Sequence, residues 1–272
     1  MKTVNSHQSS VTRLRQQILA TIFIAIIFTI SLGLGTASAK LTAKANHDHI
    51  NIDFFYHGST VSISGVSDPG TELIIKVASP EGHEALKEKG KVGGILWMNV
   101  GTKKFENVPN LYSIHSARKI EDMLSREDQD RYVIGYPALS RHVEIDPVTS
   151  ADEKAKWFDE FLRYKERSNL YTATDGKIEM KEKDGEQSYY ILTQWPYQAP
   201  PGDYIVTVYA VKDGKVVDHA ESRVQVSQAG LVKTLAGMAK SNAALYGFIS
   251  IVSALGAGFG VGLVFRKGGG AH

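Results

Sequence analysis

His47, His49 and His57, near the start of the main domain, are the residues whose type and spacing come nearest to a chemical site. Imidazoles at i and i+2 of an extended strand point the same way. A copper or zinc site can therefore be drawn with Asp48 or Asp53 as a further ligand. The plainer reading is a pair of surface histidines by a chain terminus, since no closed set of four ligands is present. The chain has no cysteine, which excludes disulfides, thiolate nucleophiles, zinc ribbons and c-type haem attachment.

Other chemistry is thinly marked. His83-Glu84 has no second histidine three residues on, so the zinc-protease helix pattern is missing. There is no Gly-x-Ser-x-Gly elbow, no phosphate-cradling loop and no dinucleotide fingerprint in a strand-to-helix setting. Asp159, Glu160 and Glu166 sit on a helical pattern, where a solvated face explains them better than acid and base chemistry does. Trp97, Trp157 and Trp195, with Tyr189, Tyr190 and Tyr197, offer either a stacking platform for a sugar or peptide or ordinary core, and core is favoured because aromatics bury large apolar areas. Asn107-Val108-Pro109-Asn110 joins two expected strands. Asn107, Pro109 and Asn110 are candidates for an interaction loop, with a structural turn as the favoured alternative.

The elements that would position these residues follow from hydropathy. Residues 1–39 run from basic Lys2, Arg13 and Arg15 through an apolar stretch to Ala37-Ser38-Ala39, the layout of a secretory signal peptide with a mature chain from Lys40. An uncleaved anchor is the competing reading, because adding Ser31 to Leu34 brings the apolar stretch close to spanning length. Residues 243–265 carry no charge and are followed by Arg266 and Lys267. They predict a transmembrane helix with residues 266–272 in the cytoplasm and the middle of the chain outside. Within that helix Ser250, Ala254, Gly258 and Gly262 form a small-residue ridge on which a partner helix can pack, or reflect the glycine and alanine common in membrane spans.

Residues 40–228 read as one extracytoplasmic domain, with residues 229–242 as a juxtamembrane linker. Alternating apolar positions predict strands from His49 to Val77, over Ile95–Val100 and over Leu111–His115. Asp184-Gly185 marks a hairpin, and Lys212-Asp213-Gly214 turns the last strand pair, Tyr204–Val211 and Val216–Val226. Two Ser-x-x-acid starts, at Ser125 and Ser150, open helices inside an insertion of about residues 116–172. The expected fold is mainly β: an immunoglobulin-like antiparallel sandwich with a helical insertion.

The block Gly94-Ile95-Leu96-Trp97-Met98-Asn99, then Phe105-Glu106-Asn107-Val108-Pro109 and Tyr112-Ser113-Ile114, resembles a family of transmembrane proteins first collected from alphaproteobacteria, Alph_Pro_TM. So do Pro201-Gly202-Asp203-Tyr204, Leu245-Tyr246-Gly247 and Val264-Phe265-Arg266-Lys267 near the end of the chain. The layout is similar over nearly the whole chain, with Arg126 to Thr174 less alike. The resemblance implies membrane residence. It also implies an association with permeases resembling sulfite exporters, and attaches no chemistry to the motifs.

With 31 basic and 29 acidic residues and a net charge of +2, nucleic acid is not an expected partner. The favoured expectation is a non-enzymatic accessory or binding protein of the inner membrane, without cofactor, partnering an integral membrane protein. The alternatives are a periplasmic metal-binding protein using the N-terminal histidines, and an envelope enzyme with dispersed acidic residues.

Overall fold

A computed structural model describes residues 40–53, 55–183 and 185–266. The signal-peptide expectation and the cytoplasmic tail beyond Arg266 lie outside the described residues. The described chain is mainly β. In order it runs β1 (Lys44–Ala45), β2 (His49–Ile52), β3 (Ser59–Ser67), β4 (Glu72–Ala78), β5 (Glu81–Val92), β6 (Leu96–Pro109) and β7 (Tyr112–Ser116). The helical stretch follows as α1 (Ile120–Met123), α2 (Arg126–Tyr132), α3 (Tyr136–His142), β8 (Glu144–Asp146) and α4 (Ala151–Arg167). Then come β9 (Tyr171–Asp175), β10 (Glu179–Lys183), β11 (Glu186–Trp195), β12 (Gly202–Lys212), β13 (Lys215–Gln228), α5 (Gly230–Ser241) and α6 (Ala243–Arg266).

Two sheets face each other, one ordered β1-β3-β11-β10 and the other β2-β13-β12-β4-β7-β9, while β5-β6-β8 form a third. Strand alternation decides which side chains meet. Leu73, Ile75 and Val77 of β4 join Val61 and Ile63 of β3 in the core between the two large sheets, with Val206 and Val208 of β12. Ile74 points the other way, into a second core with Phe105, Phe158 and Phe161. The six-stranded sheet is thus buried on both faces at its centre. That is why Val206 to Val211 reads as a nearly unbroken apolar run rather than an alternating one.

The sheets are not purely antiparallel as the sequence pattern predicts. β2 runs parallel to β13, and β7 parallel to β9. The first pair results because β1 and β2, close in sequence, divide between the two sheets. The second results because the helical stretch carries the chain back over the sheet, a crossover long enough to set strands parallel. The tight turn of the last hairpin has positive φ at Asp213 and Gly214, the geometry that matches the twist of its strands. At the start of β12 the Tyr204 hydroxyl donates to the Pro200 carbonyl at 2.5 Å.

Both predicted helix starts are present. Ser125 accepts from the Asp128 N–H at 3.3 Å and Ser150 from the Glu153 N–H at 3.1 Å, each satisfying a donor the helix itself leaves unpaired. α4 lays Phe158 and Phe161 on the base of the β5–β6 hairpin, and Phe161 stacks on Phe105 with 4.5 Å between ring centres. The insertion is therefore a covering layer for the six-stranded sheet, with one short strand, β8, pairing onto β6. At the C-terminal end, the predicted linker is the helix α5, and α6 reaches one residue beyond the expected span.

Candidate docking and binding surfaces

The β5–β6 hairpin is built for two environments. Near its root, Phe105 and Val108 are buried. Glu84 pairs there with Lys165 of α4, which is only 2% exposed and stands over the rings of Phe161 and Tyr171. Lys103 reaches Glu153 at 2.8 Å and the Pro147 carbonyl at 2.7 Å. Lys103 and the Thr149 N–H and hydroxyl together hold the Glu153 carboxyl down at about 2. Further out nothing covers the hairpin, and every residue from Lys91 to Val100 is exposed.

That outer end is apolar. Register places Val92 opposite Leu96 and Gly90 opposite Met98 on one face, and Lys91 opposite Trp97 and Lys89 opposite Asn99 on the other. Ile95 at the turn is 88% exposed and Trp97 64%. The Lys91 ammonium lies 5.4 Å from the centre of the Trp97 ring, within cation–π range. Both faces of the projecting end thus carry apolar side chains that no other part of the described chain covers. The sequence pattern found the strand from Ile95 but not its exposure, because alternation says nothing about whether a face is covered.

The interaction-loop candidates have structural tasks. Asn107 adopts φ +60° at a register shift between β5 and β6, where it is the extra residue of a bulge. The buried Pro109 accepts the Tyr171 hydroxyl at 2.7 Å through its carbonyl, and the Asn110 N–H donates to the Ser79 hydroxyl at 2.7 Å. The three N-terminal histidines are not gathered. His49 bonds Ser227 at 2.9 Å, His57 contacts the Phe55 carbonyl at 2.5 Å, and His47 is exposed. Among the described residues no group of three His, Cys, Asp or Glu is placed to hold a metal ion.

The aromatic residues also disperse. Trp195 and Tyr189 are core, Trp157 covers Lys103, and Trp97 is at the hairpin end. Asp159, Glu160 and Glu166 are exposed on α4. On α6, Ser250 bonds back to the Tyr246 carbonyl at 2.8 Å. A Cβ built on Gly258 or Gly262 would meet nothing within 4 Å, so the ridge including Ala254 is open. None of the apolar window Ala243–Leu263 is buried, and its length and composition suit a membrane crossing.

Sequence reasoning missed a cleft. The chain between β9 and β10 crosses from one large sheet to the other, and beside that crossing an open cavity of about 610 Å³ is lined by His115, Thr174, Lys177, Thr193, Trp195 and Tyr197 among others. His115 is 4% exposed. Its ring bonds Thr174 at 2.6 Å, Ser113 at 3.0 Å and Thr193 at 3.1 Å. Burial lowers its pKa to about 4, so it is neutral at neutral pH. The Trp195 indole N–H is buried and, among the described residues, has no hydrogen-bond partner. Only the tertiary fold brings β7, β9 and β11 together here.

The sequence profile of the family described as "Putative transmembrane protein (Alph_Pro_TM)" matches residues 40–267. The chain therefore belongs to this transmembrane-protein family. No curated protein matches it. Among solved structures, a family 123 glycoside hydrolase from Clostridium perfringens, described for glycolipid glycan hydrolysis, is similar at 10% identity and a TM-score of 0.24. The match covers 71% of this chain and 28% of the hydrolase chain, so this protein spans less than a third of that enzyme's length. At that TM-score the likeness carries no argument.

Proposed function

We propose that the protein is a non-enzymatic, single-pass accessory protein of the inner membrane, whose extracytoplasmic β domain docks on an integral membrane protein such as a sulfite-exporter-like permease. The observation that carries this reading is the uncovered apolar end of the β5–β6 hairpin on a chain that also bears an uncovered spanning helix. Two apolar elements without protein cover suit a protein that works at a membrane and against a partner.

Supporting features point the same way. The family match begins at Lys40, the residue expected to follow signal-peptide cleavage. Arg266 closes α6 on the side assigned to the cytoplasm. An immunoglobulin-like reading of the sandwich is supported by β2 running parallel to the last strand β13 and by the Tyr204 hydroxyl bonding back to the Pro200 carbonyl. Such a sandwich presents loops and hairpins for recognition and needs no catalytic group.

Affinity purification of the full-length protein from mild detergent tests the reading, with Leu96→Ser/Met98→Ser and Gly258→Leu/Gly262→Leu variants in parallel. A polytopic membrane protein that co-elutes with the native chain and is lost with either double variant supports it. A folded native protein that elutes without any polytopic partner refutes it.

A further inference from the structure

We infer that the cleft beside β11 binds an extended, acidic peptide segment by strand addition. This surface is separate from the hairpin end, and the inference stands whatever the hairpin engages.

The edge of β11 is the starting point. β3 pairs with β11 along its length from Gln187 to Trp195, but β10 pairs only with Glu186 to Tyr190. Ile191 to Trp195 therefore have no strand on their other side, because the chain before β10 has crossed to β9 in the opposite sheet. No other backbone hydrogen bond reaches these residues among the described ones. Five residues paired on one side only present about 17 Å of open strand edge, enough for a short added strand. Unpaired edges are normally blunted or covered, whereas this one opens into a cavity.

The cavity wraps this edge. Its lining includes the inward-facing Thr193 and the outward-facing Leu192 and Gln194 of the same strand. An occupant would therefore lie alongside the strand, with alternate side chains directed to either face, as in strand addition. On the inner side, positions that are apolar elsewhere between the sheets are polar: His115, Thr174 and Thr193 form a bonded cluster. On the same strand the Trp195 indole N–H is buried and has no hydrogen-bond partner among the described residues. Lys177 is an exposed cation on the lining, which holds no carboxylate. An inward or flanking Asp or Glu of the peptide would meet that ammonium without repulsion.

The test uses the full-length protein in detergent micelles and two synthetic pools of capped hexapeptides, each randomised except for one position held as Asp in one pool and Lys in the other. The expected result is retention from the Asp pool, with slowed amide hydrogen exchange at Ile191–Trp195 when a retained peptide is bound. N-methylation of alternate amides should abolish binding, since it removes the ladder donors. Lys177→Glu, at an exposed position that leaves the fold intact, should weaken binding about tenfold, as loss of a charge-assisted contact does. Retention from neither pool overturns the inference. So does indifference to N-methylation, or exchange protection confined to the hairpin end.

Discussion

The root and the outer end of the β5–β6 hairpin are one continuous pair of strands with opposite surroundings. At the root, Phe105 lies under Phe161 and is fully buried, and two ion pairs, Lys103 with Glu153 and Lys165 with Glu84, tie the hairpin to α4. Beyond Lys91 the same ladder continues, but α4 no longer covers it and Val92, Leu96 and Trp97 stand in solvent. Apolar character alone therefore does not assign a residue to the core; the layer above it does. The root serves stability, and the end is free to serve recognition.

That contrast makes a ranked set of expectations. The largest effect is at the root: Phe161→Ala removes the ring stacked on Phe105 and leaves a cavity, at a cost of about 4 kcal/mol in denaturant unfolding. Lys165→Ala comes next, at about 3 kcal/mol, because the Glu84 carboxylate then stays largely covered without its cation. Loss of the α4 cap in Ser150→Ala should cost about 1 kcal/mol. At the other extreme, Leu96→Ser with Met98→Ser should change unfolding by less than about 0.5 kcal/mol while abolishing partner recovery. If the end variant destabilised the domain as much as Phe161→Ala does, the division between root and end would fail.

Acid sharpens the same comparison. The Glu153 pKa is lowered to about 2 in the folded chain by Lys103 and Thr149, so its contribution is complete above the unfolded value of about 4.5 and declines as pH falls from there toward 2. Thermal unfolding followed from pH 6 to pH 3 should therefore fall less steeply in Glu153→Gln than in the native protein. The hairpin-end variant should follow the native curve, since Leu96 and Met98 do not titrate.

Much of the fold was legible because its signals are local. Ser125 and Ser150 mark their helices through bonds made within three residues, and Asp213-Gly214 turns its hairpin through its own positive φ values. The charge-free run ending at Arg266 needs no tertiary context to be read as a spanning helix. β5 was not read: Glu81 to Lys91 alternates charged residues with small or half-covered ones, and its partner β6 supplies the apolar side chains.

The sites divide the same way. His47, His49 and His57 look alike in sequence because they are near one another along the chain, yet His49 and His57 turn to different partners and His47 is exposed. Asn107, singled out for its motif, proves to be a bulge residue. His115, Thr174 and Thr193 carry no joint signal, since they come from three strands far apart along the chain and meet only where the two large sheets part. By itself the sequence determined the β-rich domain, the caps, the turns and the spanning helix, all of which depend on short-range periodicity and backbone preference. Tertiary structure alone decided which apolar residues were left bare, which strand edge stayed open and which polar groups came to line it, because those depend on what the rest of the chain covers.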